Sequence, residues 1–186
     1  RRHGCMVGGG YIALRGRDTR RTYCLVEADG TPHFHDKDEG SFWENNYYSG
    51  GSDDGLVQTA LGPIGLANGF EWGRVRTVNR LAGGVRLLGG GMFFASYPTW
   101  KATAAWLRRR DQELLLQYAR ETPPRMARML GVAVAHASHV GDYAMETMLV
   151  PGLSWTSEIA GETQICERDG TTLARLSYAD GEGYIA

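Results

Sequence analysis

Short apolar runs set off by glycine give this chain its first legible pattern. Residues 7–14 and 22–27 are rich in β-branched, aromatic and aliphatic side chains and predict two strands. Ala28-Asp29-Gly30-Thr31-Pro32 follows as a turn, because Asp-Gly suits the positive-φ positions of tight turns. Beyond it, His33 and His35 share one face of an extended segment. Residues 58–61 and 64–67 read as two more strands around Gly62-Pro63.

Helical spacing enters later. Residues 74–81 predict a short helix closed by Ala82-Gly83-Gly84, and 85–88 are a brief apolar run before Gly89-Gly90-Gly91. The strongest helix spans 103–120, where Trp106, Leu107, Leu114, Leu115 and Tyr118 form a stripe opposite Arg108, Arg109, Arg110, Gln112 and Glu113. Pro123-Pro124 predicts an interruption, with a second helix running to residue 130 and Gly131 just past its end. Residues 132–137 are strongly strand-like. Residues 161–167 and 171–177 predict a hairpin around Arg168-Asp169-Gly170. This order of strand pairs, helices, strands and closing hairpin predicts a layered α/β domain, a single one over residues 1–186.

Composition narrows the function classes. A formal net charge of −1 supplies no pull toward nucleic acid or an anionic membrane. The clusters at Arg15 to Arg21 and Arg108 to Arg110 read as solvated faces. No apolar run reaches the ~20 residues of a membrane helix. The chain opens Arg1-Arg2-His3-Gly4, without methionine or an apolar leader, which suggests a processed or partial chain. Cys5, Cys24 and Cys166 are widely spaced, with no Cys-x-x-Cys, so neither a zinc site nor a disulfide framework is indicated. A cytoplasmic setting is the expectation. The glycine triplets lack the Lys-Ser/Thr of a phosphate loop and the spaced glycines of a dinucleotide fingerprint. His33, His35, His136 and His139 have no third ligand at a telling spacing, so pocket-wall or structural roles are expected, with no metal.

The stretch His33 to Glu71 carries a resemblance. His35-Asp36-Lys37 follows the Asp-Gly turn. Trp43-Glu44 precedes Tyr47, Tyr48 and Gly50. Gly62-Pro63-Ile64-Gly65 leads into Gly69-Phe70-Glu71. Later come Ala127-Arg128-Met129-Leu130-Gly131-Val132, then Gly161-Glu162-Thr163-Gln164-Ile165, Asp169-Gly170 and Leu173-Ala174-Arg175. In this order the pieces resemble the nitrilase superfamily of carbon–nitrogen hydrolases over nearly the whole chain.

That resemblance implies a four-layer α-β-β-α sandwich, here without its first strand and helix region, pairing into a homodimer or larger assembly. It implies a site that cleaves nitriles or linear amides with a cysteine, an early glutamate and a lysine, and with no cofactor. Carried over, Lys37 stabilises the tetrahedral intermediate, Glu44 is the second carboxylate, and the Phe70 N–H serves the oxyanion. Glu71 supports the elbow, and His136 follows a late strand toward the pocket. Two departures stand out. Gly69 occupies the nucleophile's position and has no side chain, and the early glutamate falls ahead of Arg1. The expectation is a small-molecule site for a nitrile, amide or carboxylate that does not turn over, with a binding pseudoenzyme or a degenerate partial copy as alternatives.

Overall fold

The computed structural model describes residues 4–94, 105–146, 152 and 154–185. Three strands open it: β1 (Val7–Arg15), β2 (Asp18–Val26) and β3 (Pro32–Asp36), an antiparallel sheet in that order. β4 (Leu56–Thr59), β5 (Gly62–Asn68), α1 (Val75–Leu81), β6 (Leu87–Met92), α2 (Ala105–Leu130) and β7 (Ala133–Ser138) follow. A separate hairpin of β8 (Val140–Glu146) and β9 (Ser154–Ala160) precedes β10 (Thr163–Cys166) and β11 (Thr172–Leu176). The second sheet runs β11-β10-β7-β6-β5-β4, parallel across β5, β6 and β7 and antiparallel outside them.

Alternation along β5 separates two faces. Ala67 joins Leu88, Val134 and Cys166 in a core closed by Trp72 and by Val78, Leu81, Ala119, Met126 and Ala127 from the helices. Asn68 points the other way, and a Cβ at Gly10 of β1 would lie 3.9 Å from its amide. β2 and β1 accordingly pack over β5 and β6. Both helices lie against the six-stranded sheet, so the described residues lay out α, β and β layers of the expected sandwich.

Three details differ from the sequence pattern. α2 continues through Pro123 and Pro124 instead of breaking. Proline 124 has no N–H for the carbonyl of Arg120, and Gln164 Nε2 of β10 donates to that oxygen at 3.0 Å. Strand β6 continues through the glycine triplet. A Cβ at Gly90 would strike the Ala67 carbonyl, and one at Gly91 would lie 2.6 Å from the Ala137 oxygen, so side chains there would wedge the parallel strands apart. The β8–β9 pair was not legible, because polar residues such as Asp142, Ser157 and Glu158 interrupt any period-2 pattern. Among the described residues no helix is long and apolar enough to cross a membrane, which says nothing of strands.

Candidate active site

Lys37 stands one residue past β3, on the same face as His35, and that face looks toward the six-stranded sheet. Its backbone is pinned on both sides, the N–H donating to Arg21 O at 2.8 Å and the carbonyl accepting from Gly51 N at 2.7 Å. Only 3% of it is exposed. Nζ donates to Glu44 Oε2 at 2.5 Å and to Ser41 Oγ at 3.0 Å.

Glu44 is positioned by a short 3-10 turn, Phe42–Asn46, that Ser41 opens. Ser-x-x-Glu is the spacing of a capping box, and the Glu44 carboxylate reaches back to the Ser41 N–H at 2.7 Å. The same Oε2 therefore serves the cap and Lys37, while Oε1 pairs with Arg21 from β2. Burial, reinforced by the guanidinium groups of Arg21 and Arg74, brings the Lys37 ammonium down to about 7, against the upward pull of Glu71 and Asp38.

Gly69 lies where β5 ends and a second 3-10 turn, Gly69–Gly73, begins. Its φ is +61°, a conformation that costs an L-residue about 1–2 kcal/mol. A Cβ built there would lie 3.4 Å from Lys37 Nζ and 3.7 Å from Cε, with no other described residue beyond its chain neighbours within 4 Å. Asn68-x-x-Glu71 repeats the cap spacing, and Glu71 Oε2 accepts from the Asn68 N–H at 2.7 Å. Phe70 packs against Phe94 with ring centroids 4.8 Å apart.

Behind the elbow, Glu71 is fully buried. It accepts from Arg80 at 2.9 Å, from the Asp38 N–H at 3.1 Å and from His35 Nε2 at 2.9 Å. His35 Nδ1 meets Asp53. Burial alone would lower His35, yet hydrogen bonds to Asp53 and Glu71 outweigh it and raise the imidazole to about 9. His35 is therefore an imidazolium donating from both nitrogens, so the 3.2 Å approach of Arg80 Nη2 to Nε2 is a packing contact. Glu71 feels a strong push upward from burial, but His35, Arg80 and the Asn68 N–H bring it down to about 2. Arg74, just past the elbow, pairs with Asp38 and donates to Gly40 O at 3.3 Å, tying the Lys37 loop to the elbow.

The structure thus brings Lys37, Glu44, Gly69 and Glu71 together. It does not join His136 to them. That ring sits on the helix-facing side of β7, 2% exposed, edge-on to Trp72 with centroids 4.7 Å apart. Nδ1–H donates to Glu162 O at 3.1 Å, Nε2 has no partner among the described residues, and burial holds the ring down at about 4. Cys24 lies on β2 facing away from Lys37, and Cys166 is buried in β10 with its thiol pushed up by burial. Sequence reasoning missed Arg21, Asp53, Arg74 and Arg80. The two capping-box spacings were the available signal for the turns that hold Glu44 and Glu71. Among the described residues no group of three His, Cys, Asp or Glu side chains is placed to hold a metal ion. A groove of about 510 Å³ beside Arg120, Arg128 and Arg175 shares no residue with this cluster.

No family sequence model and no curated protein sequence matches the chain. Solved structures do. A carbon–nitrogen hydrolase from Helicobacter pylori G27 superposes with a TM-score of 0.73 at 17% identity, over 97% of this chain and 60% of that one. A CN-hydrolase superfamily protein from Xanthomonas campestris gives 0.65 at 15% identity, over 94% and 59%. An amidase variant of the nitrilase superfamily from Nesterenkonia gives 0.64 at 16% identity, over 96% and 59%. At these identities the likeness concerns the fold, and the chain spans about 60% of the length of the structures it matches. The fold is the nitrilase-type carbon–nitrogen hydrolase fold.

Proposed function

We propose that this chain, with its carbon–nitrogen hydrolase fold, holds a small amide or carboxylate at the Lys37–Glu44 site and does not turn it over by covalent catalysis. The observation that carries this reading is Gly69. It ends the strand that leads into the elbow, in a positive-φ conformation, and its missing Cβ would face the Lys37 ammonium at 3.4 Å.

Cleaving an amide or nitrile through an acyl-enzyme requires a thiolate, a cation beside the developing anion, and a base. Lys37 supplies the cation in a dry setting where it acts strongly. Glu44 holds that cation in place through its cap. Phe70, next after the elbow residue, is the family's position for an oxyanion N–H. Position 69 supplies no nucleophile, so the site is equipped to bind the polar end of a ligand and to stop there. Side chains alone suffice for this reading, and it calls on no cofactor.

The test is thermal stabilisation with propionamide and butyrate, alongside an assay for ammonia release. A ligand held at ten times its Kd raises folding stability by about 1.4 kcal/mol. The expected result is a rise in Tm with no ammonia, and no rise in a Lys37→Met variant. Ammonia release by the unaltered chain, or stabilisation that survives Lys37→Met, overturns the reading.

A further inference from the structure

The chain has two lysines, Lys37 and Lys101, and the described one is buried beside Gly69, which has no side chain. We propose that Lys37 is itself a nucleophile, forming a reversible imine with small aldehydes that enter the space above Gly69. The inference deepens the small-molecule site proposed above and rests on that pocket being open to ligands.

Geometry carries it. The amine ends 3.4 Å from where a Cβ at position 69 would be, and apart from residues 68–70 only the Lys37 side chain, among the described residues, comes within 4 Å of that point. An incoming carbonyl carbon can therefore approach Nζ from the side that a nucleophile's side chain would have covered. A lysine becomes nucleophilic when desolvation and neighbouring cations make its neutral form accessible. Both conditions are met here. Burial disfavours the ammonium first, and Arg21 and Arg74 add repulsion, opposed by Glu71 and Asp38. Glu44 Oε2, 2.5 Å from Nζ, is placed to take the proton that must leave.

The step balances without a co-reactant. The ammonium passes one proton to Glu44, and the freed nitrogen lone pair attacks the carbonyl carbon. The nitrogen's second proton moves to the carbonyl oxygen, giving a carbinolamine. Glu44 returns its proton to that hydroxyl, the C–O bond breaks, and water leaves a protonated imine on Lys37. Charge is unchanged from ammonium plus aldehyde to iminium plus water.

The test uses propionaldehyde with sodium cyanoborohydride on the whole chain at pH 7, followed by peptide mapping. Lys101 and the terminal amine act as internal references, so the result does not depend on a variant that folds. Reductive propylation at Lys37 is expected to run at least about tenfold faster than at Lys101, since an ordinary lysine is almost wholly protonated at that pH. Its rate should level off above about pH 7 while that of Lys101 goes on rising. Glu44→Gln is expected to slow labelling at position 37 alone. Gly69→Ala, which puts a methyl group against Nζ, is expected to do the same. Labelling of Lys37 no faster than Lys101, or labelling unaffected by Gly69→Ala, overturns the proposal. Should Lys37 label as expected while propionamide and butyrate fail to stabilise the chain, the amide-site reading fails and the imine stands.

Discussion

Glu71 holds four groups from three stretches of chain with one carboxylate: His35 of β3 and the Asp38 N–H just beyond it, the Asn68 N–H of β5 and Arg80 of α1. Removing its charge leaves buried His35 with Asp53 alone as counter-ion and Arg80 with only the 4.0 Å contact to Asp38. Glu71→Gln is therefore expected to lower unfolding stability by about 3–5 kcal/mol in urea titration; a loss below about 1 kcal/mol contradicts the clamp. The pH dependence follows from the same groups. Glu71 is depressed to about 2, so its stabilisation is present above its ordinary value and fades as pH falls toward 2. His136 is depressed to about 4, so the unfolded chain takes up its proton first and stability drops as pH falls from 6.5 through 4. His136→Gln should flatten that limb in urea melts between pH 7 and 4, and an unchanged slope counts against a neutral buried ring. Lys37, Glu44, Gly69 and Glu71 were singled out in the sequence by the order of motifs that resembles the nitrilase superfamily, and local spacing alone would have left Lys37 a surface lysine. Arg21, Asp53 and Arg80 were not, because they reach the cluster from other elements through tertiary packing, and no local spacing announces that.

At the scale of elements, α2 shows what local propensity leaves out. Two consecutive prolines predict a break, yet the helix runs on, and Gln164 of a distant strand supplies the donor that Pro124 lacks. Gln164→Leu should cost about 1–3 kcal/mol, the penalty for an orphaned buried carbonyl. Pro124→Ala restores the backbone N–H, so the same Gln164→Leu change made on Pro124→Ala should cost measurably less. Additive costs in that double-mutant cycle would show that the amide and the proline are independent. Strands β1, β2, β5 and β7 were legible as short runs rich in β-branched, aromatic and aliphatic residues set off by turn signals. The reach of β6 through three glycines was not, because its cause is the close approach of the Ala67 and Ala137 carbonyls on neighbouring strands.

At the scale of the molecule, the layers follow from which strand faces are apolar, and the motif order predicted the sandwich that the fold comparison shows. The edge strand β1 leaves Val7 63%, Ile12 60% and Leu14 73% exposed. Exposed apolar edge strands favour strand-to-strand association, and the expected homo-oligomer is proposed to draw on this edge. Sedimentation velocity should show concentration-dependent association of the chain, shifted toward monomer by Ile12→Lys with Leu14→Lys. A monomer at all concentrations removes that proposal. The apolar run over residues 7–14 does not itself mark this edge as open, because the same run would serve a covered strand equally well.

The central claim is that position 69 is the nucleophile's place beside the Lys37 ammonium. Gly69→Cys tests it through the rate of alkylation by iodoacetamide against pH, with exposed Cys5 as the reference thiol in the same chain. A thiol beside a cation titrates below the ordinary ~8.5. In Gly69→Cys the new thiol is expected to react with a midpoint at least about one unit below that of Cys5, and Lys37→Met is expected to abolish the difference. A thiol at 69 that titrates like Cys5, with or without Lys37, contradicts it.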